Sequence, residues 1–197
     1  MATDIGQIVA NLLAFYDVAN KTVVAVGAGG GQLIEYTRSA RRVIAVDRDK
    51  AAIDRLVARA RETGLADRFT LVTSDFLDVR PRGDVVLFEF CLHLMAEPER
   101  ALAHAAELAP EVVVIGHAPG SRWSWYAAED IGVEAAWKAA EGHIRRRQDV
   151  ETFQHFRDYA ELEARLANQG SRSLARIRPL LGQTAIAIPM PYRLALL

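Results

Sequence analysis

With a single cysteine, Cys91, this 197-residue chain cannot form an intrachain disulfide or a cysteine-rich zinc site. Neither sign of charge is in excess, since 24 Lys+Arg stand against 25 Asp+Glu for a net charge of −1. A protein built to grip nucleic acid would carry a basic surplus, so nucleic acid is not an expected partner. Only Lys21, Lys50 and Lys138 are lysines, and the one basic run, Arg145-Arg146-Arg147, reads as a solvated helix face. No apolar stretch approaches the roughly 18 residues of a spanning helix, which argues against a membrane partner. The basic, apolar and small-residue regions of a signal peptide are missing, and a cytoplasmic protein is the expectation. The five histidines are scattered, with no H-E-x-x-H pair, so no metal site is expected.

What the chain does have is apolar substance: 51% of residues are hydrophobic, enough for one domain spanning 1–197. Ile5 to Tyr16 has helical periodicity, with Asp4 as its N-cap. Short β-branched runs then alternate with helical segments. The runs are 23–26, 42–46, 69–72, 84–90 and 111–115. The segments are Gln32 to Ser39, Lys50 to Thr63 and, opened by Pro98, Glu99 to Ala109. Such alternation gives right-handed crossovers and a mostly parallel sheet covered on both faces, a doubly wound α/β fold. After the fifth run the rhythm breaks. Residues 117–148 form an insertion that holds all three tryptophans, Asp149 to Asn168 reads as helix, and Ser173 to Leu197 reads as two closing strands. Pro189 and Pro191 place an edge or a bulge in that tail.

The strongest chemical signal is Gly27-Ala28-Gly29-Gly30-Gly31, set between a buried strand and a helix. Glycines there let the backbone turn tightly and let a ligand lie against it, and a helix start faces that ligand with free N–H groups. Asp47 ends the next strand, where a carboxylate can bond the two hydroxyls of a ribose. A dinucleotide fingerprint needs G-x-G-x-x-G/A, but Gln32 or Ile34 stands at the third position. A nicotinamide-dependent oxidoreductase is therefore the weaker alternative, and a non-catalytic cofactor-binding module is the other.

In these motifs the chain resembles the class I S-adenosylmethionine-dependent methyltransferases, from about Val23 to the C-terminal strands. Val23 to Gly31 looks like the family's first motif, Val43 to Asp47 like its ribose-binding strand, and Thr73-Ser74-Asp75-Phe76 like its adenine-binding motif. The run 84–90 looks like the fourth strand, which borders the methyl-transfer pocket. The resemblance implies a seven-stranded, mostly parallel sheet with an antiparallel C-terminal strand. It implies S-adenosylmethionine as cofactor, held by Gly27, Ala28, Gly29, Gly31, Asp47, Arg48, Ser74, Asp75, Phe76 and Glu89. The family commonly carries an acid two positions before the first glycine, where this chain has Ala25. The cofactor's amino group then looks to the surroundings of Gly27 and Glu89.

Glu89, His93 and His117 lie at or just beyond strand ends and are the candidate catalytic residues, on the edge where open α/β sheets bind ligands. Residues 1–20 make a possible lid, with Phe15 and Tyr16 closing over the cofactor. If the segment after Ser121 is extended, Trp123 and Trp125 share one side and Tyr126 takes the other. These three aromatics are the candidate contacts for a small-molecule methyl acceptor.

Overall fold

The structure, a computed structural model, describes residues 5–29 and 34–197. The helices are α1 (Ile5–Phe15), α2 (Lys50–Glu62), α3 (Pro98–Leu108), α4 (Arg122–Tyr126), α5 (Asp130–Ala140), α6 (Tyr159–Leu166) and α7 (Ser171–Ile177). The strands are β1 (Thr22–Val26), β2 (Arg42–Asp47), β3 (Phe69–Thr73), β4 (Val85–Glu89), β5 (Val112–His117), β6 (Arg146–Val150), β7 (Phe153–Asp158), β8 (Thr184–Pro189) and β9 (Tyr192–Leu196).

Seven strands form one sheet in the order β3-β2-β1-β4-β5-β9-β6. The first five are parallel, and β9 runs antiparallel to both β5 and β6. This is the doubly wound, mostly parallel seven-stranded architecture with an antiparallel C-terminal strand. The β-branched runs of β1, β4 and β5 lie at its centre, where both faces are covered and every residue can be apolar. One apolar layer packs α1 on the sheet through Ile8, Val9, Leu12 and Phe15. The opposite layer packs α3 and α5 through Ala101, Leu102, Ala105, Val133 and Trp137.

The structure departs from the sequence reading in four places, three of them in the C-terminal half. The arginine run is not a helix face. Arg146 and Arg147 open β6, an exposed edge strand paired only with β9. Asp149 to Asn168 is not one helix, because its first half completes β6 and forms β7. The period of two in β7 was masked by an inward polar residue, Gln154, whose amide meets Met190 Sδ at 2.9 Å. The closing region holds the two expected strands and also α7. Its first strand, β8, pairs with β7 in a separate two-stranded sheet, with Pro189 at its end as an edge position requires. The helix expected from Gln32 is a single 3-10 turn over Ile34–Arg38, and its start, like Asp4, lies outside the described residues.

Candidate active site

The carboxyl ends of β1, β2, β3, β4 and β5 converge on two adjoining cavities of about 410 and 380 Å³. Both are in the range that small-ligand sites occupy. The larger is bounded by the glycine loop, Asp47, Arg48, Ser74, Asp75 and Phe76. The smaller is bounded by His93, His117, Trp123 and Glu129. Gly27, Gly29, Glu89, Phe90 and Leu94 line both, so the two cavities meet there.

The loop geometry explains the glycines. Gly27 and Gly29 have φ of +66° and +54°, a region that costs an L side chain energy. A Cβ on Gly27 would lie 2.3 Å from Cys91 Cβ and 2.6 Å from its Sγ. Cys91 itself gives its S–H to the Val26 carbonyl at 3.0 Å, and burial pushes its thiol pKa up. It is a packing residue and not a nucleophile. Asp47 accepts from Asp49 N at 2.9 Å and faces Gly29 N at 3.4 Å, tying the end of β2 to the loop. Asp75 accepts from Leu77 N at 2.9 Å and so fixes the turn that carries Phe76. The Phe76 ring is buried edge-on against Phe88. Ala28 lines the smaller cavity, and Gly31 lies outside the described residues. Cavity-lining residues that sequence reasoning passed over include Leu77, Met95 and Glu97 on the larger side. They sit in turns with no periodic or motif signal.

Glu89 is buried where the cavities meet. Tyr36, from the 3-10 turn, donates its hydroxyl hydrogen to Glu89 Oε1. Burial raises the Glu89 pKa to about 7, and the Tyr36 hydrogen bond partly opposes that rise. Ala25, Tyr36 and Glu89 are among the residues around a void of only about 10 Å³, so little free space remains there. Phe90, the next residue, has φ of +50°, a strained conformation for a bulky side chain at the junction of the cavities.

His93 and His117 do come together, and Glu129, which the sequence did not single out, joins them. Glu129 Oε2 lies 3.3 Å from His93 Nε2 and 3.8 Å from His117 Nε2. Burial, with His93 nearby, lowers the His117 pKa to about 4. The scatter of histidines along the sequence thus hid a three-residue cluster. The three side chains come from the turn after β4, the end of β5 and the residue before α5, which only the tertiary fold makes neighbours.

Three other expectations are corrected. Tyr16 is not at the cofactor cavity: its hydroxyl bonds Glu111, and Lys21 Nζ approaches it at 2.6 Å, all at the amino ends of the strands. Phe15 is buried in the core under the Arg146 guanidinium. The helix α1 crosses the sheet from one edge to the other, so the residues it offers to a cavity are Ile5 and Ile8. The third correction concerns the aromatic segment, which is helical and not extended. Trp123 and Tyr126 therefore share the buried face, and Trp125 turns away, its ring covered by Arg122 and Arg176 at 4.3 and 4.7 Å. Trp123 alone of the three lines the cavity; Tyr126 packs beside Trp125 and takes a hydrogen bond from Arg122.

Residues 23–110, which carry the glycine loop, Asp47, Asp75 and Glu89, match a family model described as a methyltransferase domain. No curated protein matches the sequence. Solved structures do match in fold. A SAM-dependent methyltransferase from Aquifex aeolicus is 15% identical with a TM-score of 0.62, covering 98% of this chain and 89% of its own. Magnesium protoporphyrin IX methyltransferase from Synechocystis PCC 6803, with bound SAM, is 16% identical with a TM-score of 0.56, covering 97% and 77%. A Pyrococcus horikoshii protein provisionally assigned as an RNA methyltransferase is 17% identical with a TM-score of 0.59, covering 98% and 81%. At these identities the structural likeness is one of fold. Residues 23–110 are thus similar to a methyltransferase domain, and the chain as a whole has the class I, Rossmann-like methyltransferase fold. The cofactor expected of such a domain on this fold is S-adenosylmethionine. Among the described residues no helix is long and apolar enough to cross a membrane.

The larger cavity fits that cofactor. It offers carboxylates at Asp47 and Asp75, the bare backbone of Gly27 and Gly29, and the buried apolar surface of Phe76.

Proposed function

We propose that this chain is an S-adenosylmethionine-dependent methyltransferase that methylates a small-molecule acceptor held in the smaller cavity, in a cytoplasmic setting that suits its lone, reduced thiol. The observation that carries the reading is that the two cavities share a wall at Gly27, Glu89 and Phe90. When bound, S-adenosylmethionine supplies a methyl group on a positively charged sulfur, activated for in-line displacement. Asp47 would hold the ribose, Asp75 and Phe76 the adenine, and Gly27, Gly29 and Glu89 the methionine portion. Arg48 and Ser74 complete that wall. Glu89, ionised when the cationic cofactor lies beside it, stands in for the acid that Ala25 lacks. The acceptor would lie between Trp123 and the His93–Glu129–His117 cluster, which activates its nucleophilic atom. Positioning of this kind can remove roughly 7–11 kcal/mol from a barrier.

An RNA acceptor is not favoured by the arginine run, because Arg145, Arg146 and Arg147 line neither cavity. Arg145 and Arg146 are engaged with the Leu197 and Phe15 carbonyls. Incubation with methyl-labelled cofactor and a cell extract split into metabolites and RNA tests the proposal. Label should enter the metabolite fraction; label confined to RNA would overturn it.

Two substitutions test the assignments. Asp47→Ala should remove one or two charge-assisted hydrogen bonds, worth about 1.5–3 kcal/mol each, and weaken S-adenosylhomocysteine at least about tenfold. Unchanged affinity in the folded variant would remove Asp47 from the site. Trp123→Ala should impair acceptor turnover while cofactor affinity stays within about a few-fold, because Trp123 touches only the smaller cavity. Trp125→Ala should leave turnover nearly intact. The reverse ranking would place the acceptor elsewhere.

A further inference from the structure

We propose that His93, His117 and Glu129 hold a divalent transition-metal ion, at the wall of the smaller cavity. The donor set is two imidazoles and one carboxylate, a combination suited to zinc and its neighbours. The donor atoms all lie within 4.8 Å of one another. Two ligands about 2.1 Å from one ion at a tetrahedral angle stand roughly 3.4 Å apart. Glu129 Oε2 is 3.3 Å from His93 Nε2 and 3.8 Å from His117 Nε2, so small side-chain rotations suffice.

A separate observation points to a ligand. The His117 ring is more than nine-tenths buried, its Nδ1 has no hydrogen-bond partner among the described residues, and its Nε2 stands at 3.8 Å from Glu129, beyond hydrogen-bond reach. The buried ring carries the cost of an orphan Nδ1, while its Nε2, the nitrogen turned to Glu129, makes no hydrogen bond among the described residues and can ligate an ion. The ring faces the cavity.

The scaffold around the cluster is rigid. Trp137 Nε1 bonds the His117 carbonyl at 2.7 Å. Gly132 lets α5 pack so close that a Cβ there would stand 2.2 Å from the His93 carbonyl oxygen. Glu129 N bonds Ser124 O at 2.8 Å, and Arg176 holds the adjacent Asp130 at 2.7 Å. Three elements are thus locked together around one point, as a preorganised metal site requires. Three protein ligands leave a further position open toward the cavity. If the methyl-transfer reading holds, on which this sentence alone rests, the acceptor is one whose reacting oxygen or sulfur can ligate a metal.

The experiment is calorimetric titration of the full chain with zinc chloride, without cofactor or acceptor. One zinc per chain should bind saturably. Glu129→Gln and His117→Ala should each weaken binding at least about tenfold, with His155→Ala, a substitution at an exposed position of β7, as the unaffected control. With cobalt(II) in place of zinc, visible d–d absorption should appear and should shift when a small thiol is added. No saturable site near one equivalent would overturn the proposal. So would unchanged affinity in folded Glu129→Gln, which decides the matter even if His117→Ala fails to fold. Because no cofactor is present, a negative result leaves methyl transfer standing, and S-adenosylhomocysteine binding measured separately tests that reading on its own.

Discussion

Replacing Gly27 by alanine should abolish cofactor binding and lower stability by about 2–5 kcal/mol. Two costs add. A non-glycine residue in the left-handed region costs about 1–2 kcal/mol. Forcing a methyl group into a filled space costs about 1–3 kcal/mol more. The space is filled because the added Cβ would meet Cys91 Cβ at 2.3 Å, and Cys91 is fixed by its bond to the Val26 carbonyl. Any shift that relieves the overlap moves the loop against which the cofactor lies. Gly29 supplies the comparison. It also has positive φ, but its added Cβ would meet nothing closer than the Gly27 oxygen at 3.5 Å. Gly29→Ala should therefore lose only about 1–2 kcal/mol. Thermal melts and S-adenosylhomocysteine titration of both variants decide. Equal losses would show that the Cys91 overlap is not the cause, and normal binding by Gly27→Ala would remove the loop from the site.

The second large effect belongs to Glu89 and depends on pH. Its pKa is about 7 in the folded chain and 4.5 when unperturbed. Between those values the folded state holds a proton that the unfolded state has released, so this group's contribution to stability falls as pH rises from about 4.5 to 7 and is flat beyond. The full difference is about 3 kcal/mol. The groups facing it are Tyr36 through its hydroxyl and Cys91 beside it. Glu89→Gln keeps the shape and removes the titration. Wild type minus variant stability, followed by denaturant melts from pH 4.5 to 8, should decline by about that amount, and all other titrations common to both chains cancel. A cation bound beside Glu89 favours the carboxylate, so S-adenosylmethionine should bind more weakly below about pH 7 in the wild type and lose that dependence in the variant. A flat stability difference would mean that Glu89 is not held neutral by burial.

The lining of the larger cavity was legible because its residues sit at strand ends in chain order. A buried run ending in Gly27, another ending in Asp47 and a third leading to Asp75 each announce an element and its exit. Parallel strands bring such exits to one edge. The lining of the smaller cavity was only partly legible. His93 and His117 were found by the same strand-end logic. Glu129 gave no signal, since it begins a helix that reaches the site only by packing on the turn after β4. Trp125 and Tyr126 were misplaced because five residues have no resolvable period, and the choice between helix and strand inverted which rings face inward.

The sequence by itself determined the alternating α/β core, the parallel strands and the glycine loop with its carboxylates, because local periodicity and backbone freedom are properties of contiguous residues. Only the tertiary structure decided the rest. It placed β9 between β5 and β6, made the arginine run an edge strand, turned Tyr16 to the far edge of the sheet, and joined His93, His117 and Glu129 around one cavity. Those outcomes depend on which surfaces bury one another across long separations in the chain, and such pairings leave no periodic mark on either partner.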